Sequence, residues 1–310
     1  MSTLDERVDK DTPLVTVIMP HWEKSLPYIG EAIDSIAAQT FLDLVRSVDL
    51  RVVDDGSSVH EYEILSRVIK QYQETHRGRF VNFILHSFPR GGKNRNLERI
   101  KQYIDERSRY ILVADSDDVF APQFLTVLFE HLEQQRAIDP NVVISYCNSL
   151  LIDEHGFCCG AGTAPNFDRS TYFRETETEE SNYIPGNALR VTERFMAGTP
   201  KDFDHNRDKH KRFVAELGEM GRASRVDGRH FFYKQHADQM SGHMDQLAED
   251  QRYGPGGFFD QWPQGERRPY WREWLALQRE EQTRLLSLMP NADTMGWQQY
   301  RPRPNRHLNA

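Results

Sequence analysis

Tyr110-Ile111-Leu112-Val113-Ala114-Asp115-Ser116-Asp117-Asp118 is the stretch whose reading decides the fold. A short uncharged run closed by turn residues reads as a buried strand. Two carboxylates two residues apart in the turn that follows can share a hard divalent cation, Mg²⁺ or Mn²⁺. An acidic turn alone is common, so its neighbours decide. Upstream, Leu14 to Met19 is an apolar run closed by Pro20, Val48 to Val53 runs into Asp54-Asp55-Gly56-Ser57, and Phe80 to Leu85 is a third run. Between them, Ile29 to Phe41, Glu61 to His76 and Asn96 to Glu106 carry apolar residues at helical spacing, and Pro122 opens another helix to about Gln135. Alternation of this kind predicts an α/β fold with a mostly parallel central sheet flanked by helices. Ligands of such sheets sit at the carboxyl ends of the strands. Pro20, Asp55 and Asp115 are therefore expected at one rim.

Beyond Val142 to Ile152, a further strand, the pattern loosens. Asp153 to Glu180 is rich in Gly, Thr and Glu and reads as hairpin or loop. Pro185-Gly186-Asn187 is a turn, Val191 to Met196 and Asp208 to Met220 are helical, and Arg229 to Tyr233 is strand-like. A Gly/Pro-punctuated segment precedes a helix over about Pro269 to Met289, with Trp271, Trp274, Leu275, Leu285, Leu286 and Met289 along one stripe.

The chain has 310 residues, 38% hydrophobic and 28% charged, enough to bury a full core. A net charge of −8 opposes a polyanionic partner and gives no sign of nucleic-acid binding. Cys147, Cys158 and Cys159 form neither a disulfide framework nor a four-ligand zinc pattern, and read as buried thiols in a reducing compartment. The first twelve residues have no apolar h-region and read as flexible; no apolar run approaches the ~20 residues of a membrane span. A cytoplasmic protein is expected.

Two further clusters carry chemistry. Asp54-Asp55-Gly56-Ser57-Ser58 offers carboxylates to a nucleobase N–H, or is simply a turn in which Ser57 or Ser58 caps a helix. Arg90-Gly91-Gly92-Lys93-Asn94-Arg95-Asn96 is basic and glycine-rich before a helix, which suits phosphate, though it lacks the P-loop spacing and also reads as a solvated loop.

Together these segments resemble the family-2 inverting glycosyltransferases of GT-A fold. The resemblance rests on Val15 to Pro20, Ala32-Ile33-Asp34-Ser35-Ile36 with Gln39-Thr40, Val52 to Ser58, Arg95-Asn96, and Ala114 to Asp118 with Pro122. It implies a nucleotide-sugar donor, a UDP-sugar first, bound over residues 13–150. It implies an acceptor-side half over 151–242, leaving 243–310 as a helical C-terminal extension. Pro20 and Asp55 would meet the base, with His21 and Glu23 on the same edge; Arg95 would meet the diphosphate, and Asp115 or Ser116 the ribose. Asp117 would bind Mn²⁺ or Mg²⁺. Glu23 stands where the family usually has asparagine. Tyr233-Lys234-Gln235-His236 is similar to a late family element, so His236 would help hold metal or diphosphate. Asp208, after Arg207 where glutamate is usual, would be the general base, with Asp202 and Asp204 as rivals.

Two other functions compete. Asp115-Ser116-Asp117-Asp118-Val119 also resembles the first motif of haloacid-dehalogenase phosphohydrolases, with Asp115 as nucleophile and Asp117 as acid/base. A non-catalytic nucleotide-sugar binder would explain Arg207. The acceptor would be a carbohydrate or another hydroxyl-bearing molecule. The C-terminal aromatic stripe reads as core packing or a homodimer contact. Peripheral membrane docking is a third reading, favoured by Arg267, Arg268 and Arg272 and opposed by Glu273, Glu280 and Glu281.

Overall fold

In chain order the elements begin β1 (Val15–His21), α1 (Ile29–Ala37), α2 (Thr40–Val45), β2 (Val48–Asp55), α3 (Val59–Thr75) and β3 (Asn82–Phe88). Next come α4 (Lys93–Ile100), β4 (Tyr110–Val113), β5 (Val119–Phe120), α5 (Phe124–Ile138), β6 (Val142–Asp153) and β7 (Cys158–Gly162). The rest are β8 (Leu189–Val191), α6 (Thr192–Ala197), α7 (Lys209–Leu217), β9 (Arg222–Gln235), α8 (Trp271–Ala276) and α9 (Arg279–Leu288). The computed structural model describes residues 13–45, 47–170, 172–173, 184–198, 209–236 and 266–289. Two compact units divide the chain: residues 1–147 with 164–228, and residues 148–163 with 229–310.

In the first unit the apolar runs become the centre of a sheet. β1 pairs in parallel with β2 and with β4, and β2 in parallel with β3. Val15, Val17, Ile18 and Met19 of β1 and Leu50 and Val52 of β2 are fully buried. Each such side chain contributes roughly 2 kcal/mol through apolar burial. β3 is the edge strand, and there Asn82, Ile84 and Ser87 are exposed. Beyond β4 the order continues β8, then β6, both antiparallel to their neighbours. The GT-A arrangement expected from the sequence is what forms.

Three local departures have physical causes. The single helix expected over Ile29 to Phe41 breaks at Gln39, a buried side chain that latches the corner. Its Nε2 donates to the Ser35 and Ala121 carbonyls at 2.9 and 2.8 Å, and its Oε1 accepts from Leu125 N–H at 2.8 Å. Gln39 thereby satisfies an amide in the first turn of α5, which no intrahelical bond reaches. β8 was not foreseen, and α6 starts only at Thr192. α4 begins three residues early because Gly92, at φ 81°, sets the cap in a left-handed conformation.

In the second unit the far half of β6 pairs antiparallel with β7. Asp153 Oδ1 ties their turn, accepting from the amides of His155 and Phe157 at 3.0 and 2.9 Å. Cys158 and Cys159 are buried, and burial pushes both thiols up, away from thiolate chemistry. The expected helix over Pro269 to Met289 is two, α8 and α9, joined through the extended residues Leu277 and Gln278. Gln282 Nε2 covers the carbonyl left at Trp274, at 2.9 Å. Trp271, Trp274, Leu285 and Met289 are buried, Trp271 against Phe232 with ring centroids 5.6 Å apart, so packing accounts for the aromatic stripe. No described helix is long and apolar enough to cross a membrane.

Candidate functional site

Parallel pairing puts the ends of β1, β2 and β4 at one level: Pro20 lies opposite Val53, His21 opposite Asp54, and Ile18 opposite Val113. Pro20, His21, Asp55 and the turn at Asp115 therefore share one rim of the first unit, as their spacing predicts.

Asp55 organises the basic loop. Its Oδ1 accepts from the amides of Gly91 and Gly92 at 2.7 and 3.0 Å and from Asn96 Nδ2 at 2.7 Å; its Oδ2 shares the Gly92 amide at 3.0 Å. The carboxylate thus sits at the start of α4, where unpaired amides and the helix dipole favour negative charge. Oδ2 keeps capacity for a further donor. Asp54 is buried and serves the turn, accepting from Ser57 Oγ at 2.5 Å and Ser87 Oγ at 2.9 Å. Ser58 caps α3 in a reciprocal box with Glu61, so the capping reading holds for that serine. Gly56 has φ 65°, and a Cβ there would collide with the Arg90 backbone. Arg95 is exposed in the first turn of α4, its side chain close against Gly91. Glu23 is 3.8 Å from Arg90 Nη2, so the turns after β1 and β3 meet on this rim.

The acidic turn closes through Asp118 N–H to the Asp115 carbonyl at 3.2 Å. Asn187, buried in the turn before β8, clamps it twice: Oδ1 accepts from the Asp115 amide at 3.1 Å and Nδ2 donates to Asp118 Oδ2 at 2.6 Å. Lys93 Nζ pairs with Asp115 Oδ1. Ser116 Oγ donates to Ser25 Oγ at 2.9 Å, and Asp117 is half-buried. Asp118 is the buried, structural carboxylate of the group. Sequence reasoning missed Lys93, Asn187 and Ser25 as site residues, although the first two lie in segments that it had singled out.

His21 is 2% exposed. Ser25 Oγ lies 3.1 Å from its Nδ1 and donates its single proton to the Trp22 carbonyl at 2.8 Å. Nδ1 therefore carries the hydrogen, which leaves Nε2 as the acceptor. Burial pulls the imidazole down to about 4, with Asp117 opposing the drop, so the ring is neutral at pH 7. The unfolded chain then binds a proton below pH 6.5 that the folded chain refuses until about pH 4. Stability from this group is complete above pH 6.5 and falls as pH drops toward 4, by about 3 kcal/mol at 1.4 kcal/mol per pH unit. His21→Gln is expected to flatten the pH dependence of the melting temperature over that window; equal slopes in both proteins would contradict the assignment.

Other expected residues belong to the second unit or lie outside the described residues. Lys234, Gln235 and His236 are buried at and just after the end of β9, in the second unit. Asp208, its rivals Asp202 and Asp204, and Arg207 lie outside the described residues. Among the described residues, no three His, Cys, Asp or Glu side chains form a ready cation cluster. Lys93 pairs with Asp115, and the oxygen donors of the turn are of the kind that Mg²⁺ or Mn²⁺ takes, completed by phosphate.

An acidic turn, the Asp55 carboxylate and a basic helix start thus share one rim of a GT-A sheet. The chain belongs to glycosyl transferase family 2, whose profile matches residues 16–195. That assignment displaces the phosphohydrolase alternative. An uncharacterized glycosyltransferase of Methanocaldococcus jannaschii is 31% identical over 148 residues, 48% of this chain and 46% of that protein. A bifunctional glycosyltransferase of Dictyostelium discoideum is 31% identical over 140 residues, 42% of this chain and 17% of that protein. The chain thus matches less than half the length of either relative. Among solved structures, a mannosyltransferase from Pyrobaculum calidifontis in complex with GDP-Man and Mn²⁺ is 17% identical, with a TM-score of 0.49, over 92% of this chain and 76% of that one. TarS of S. aureus in complex with UDP is 14% identical, with a TM-score of 0.48, over 71% and 60% of the two chains.

Proposed function

We propose that the protein is a metal-dependent, inverting glycosyltransferase that moves a sugar from a nucleoside diphosphate sugar, a UDP-sugar first, to an acceptor hydroxyl in the cytoplasm. The observation that carries this reading is the shared rim: Asp55, the start of α4 and the acidic turn meet there in a chain of family 2. Pro20 and Asp55 face the base, with His21 and Glu23 beside them. Asp55 Oδ2 suits the imide N–H of uracil. Arg95 binds the diphosphate, and Asp115 or Ser116 the ribose. Asp117 would hold Mn²⁺ or Mg²⁺, which when bound would neutralise charge on the departing diphosphate. Asp208 takes the proton of the acceptor hydroxyl as its oxygen bonds to the anomeric carbon. The bond from that carbon to the diphosphate breaks on the opposite face, and its electron pair leaves with the nucleoside diphosphate. Inversion follows from this single displacement.

Thermal-shift titration with nucleotides and nucleotide-sugars, with and without Mn²⁺, tests the reading together with assay of free sugar released. UDP and a UDP-sugar are expected to raise the melting temperature more with Mn²⁺ than without, and one UDP-sugar to be slowly hydrolysed. Binding without any turnover, even with candidate acceptors, would mean a non-catalytic binder, the outcome that Arg207 would favour. No shift with any nucleoside diphosphate would overturn the proposal.

A further inference from the structure

Behind the acidic turn lies buried charge that sugar transfer does not use. Glu216 on α7 is fully buried and holds two guanidiniums, Arg212 Nε at 2.8 Å and Arg190 Nε at 3.1 Å. Arg212 reaches on to Glu98 of α4 at 2.9 Å, and the other oxygen of Glu98 holds Lys101 at 2.7 Å. Both guanidiniums lie over aromatic rings, Arg212 over Phe195 at 4.3 Å and Arg190 over Phe213 at 4.7 Å.

The two ends of this cluster meet at the same turn. Arg190 Nη2 donates to the Gly186 carbonyl at 2.8 Å, next to the Asn187 that clamps Asp115 and Asp118. At the other end, α4 carries Glu98 near its close and Lys93 at its start, and Lys93 pairs with Asp115. The contacts therefore close a ring: Asp115, Lys93, α4, Glu98, Arg212, Glu216, Arg190, the Gly186-Asn187 corner, and Asp115 again. Every member belongs to the first unit.

Stability alone is a weak reason for such a cluster. Desolvating several charges offsets much of their attraction, and apolar side chains of similar volume often do as well. Fixing the register of packed elements is the better attested use of buried charge. We infer that Glu216 is a positioning residue: it fastens α7 and α4 to the Gly186-Asn187 corner and so holds the acidic turn in the shape that the nucleotide site needs. Its effect on nucleotide binding rests on the function proposed above; its hold on the turn does not.

A comparison of Glu216→Gln with Asp49→Asn tests this. Asp49 forms a second buried pair of the same unit, with Arg51 at 2.8 Å, at the end of β2 away from the rim. Both variants are expected to melt earlier. Only Glu216→Gln should speed exchange of the Asp115 amide hydrogen and weaken UDP binding, each by about tenfold, because a small displacement of binding groups is costly. Should Glu216→Gln not fold, Arg190→Lys keeps the charge but loses the planar fork that joins Glu216 to the Gly186 carbonyl, and the same two readings apply. Unchanged exchange at Asp115 in the folded variant, or equal acceleration in Asp49→Asn, would overturn the inference. If the unmodified protein binds no UDP, the proposed function fails, while the exchange comparison still decides the role of Glu216.

Discussion

Asp117→Ala is expected to lower sugar transfer by on the order of a thousandfold while costing less stability than Asp118→Ala. The reason lies in how the turn divides its labour. Asp115 is held through its amide by Asn187 and through its carboxylate by Lys93, and Asp118 is buried against Asn187 Nδ2. The Asn187 clamp does not include the Asp117 carboxylate, so an alanine there leaves the clamp in place. Asp118→Ala should do the reverse: it strands a buried amide, costs about 1–3 kcal/mol of stability and damages transfer through the fold. Two measurements separate these effects. Melting temperatures should fall further for Asp118→Ala than for Asp117→Ala. UDP titrations should show Mn²⁺ tightening binding to the unmodified protein but not to Asp117→Ala, and a chelator should bring the two proteins together. Transfer by Asp117→Ala still stimulated by Mn²⁺ would remove Asp117 from the metal site.

The parts of this arrangement legible in sequence are those written locally. β1, β2 and β4 read as strands because they are buried on both faces and largely apolar, the Asp49–Arg51 pair of β2 apart, and a residue marked by its sequence context lies at or just past the end of each: Pro20, Asp55, Asp115. What holds those residues is not local. Asn187 reaches Asp118 across 69 residues and Lys93 reaches Asp115 across 22, and no spacing rule announces either pairing. β8 is three residues long, too short to show a period, yet it brings Asn187 to the turn and Arg190 to Glu216. The same limit explains the C-terminal helices. Their apolar stripe continues across Leu277 and Gln278, where the backbone is extended, so periodicity reads one helix where two form. Gln39 is the converse case. It belongs to the family resemblance, and its visible task is structural, pinning the α1–α2 corner to the first turn of α5.

Asp55 gives the second large effect, and a pair of substitutions separates its two tasks. Asp55→Ala removes the acceptor of two backbone amides and of Asn96, three hydrogen bonds to a charged oxygen. The variant should lose about 3 kcal/mol of stability and release the loop that leads to Arg95, so UDP affinity should fall by about a hundredfold or more. Asp55→Asn is the more informative change. Its carbonyl oxygen can replace Oδ1 and keep all three donors, at a cost of about 1–2 kcal/mol for the lost charge and for the share of the Gly92 amide that Oδ2 held. Its amide nitrogen then stands in the place of Oδ2, where a donor replaces an acceptor. If Oδ2 receives the imide N–H of uracil, that donor meets another donor, and UDP affinity should drop by roughly a hundredfold although the loop survives. Cytosine presents an acceptor at the equivalent ring nitrogen, so CDP should lose far less, and the preference of UDP over CDP should shrink or reverse. Were Asp55 only a brace for the loop, Asp55→Asn would bind both nucleotides as the unmodified protein does. Calorimetric titration of UDP and CDP into the two variants reads the difference directly. Because the loop contacts are the same for either nucleotide, a change in their ratio can come only from the atom that faces the base.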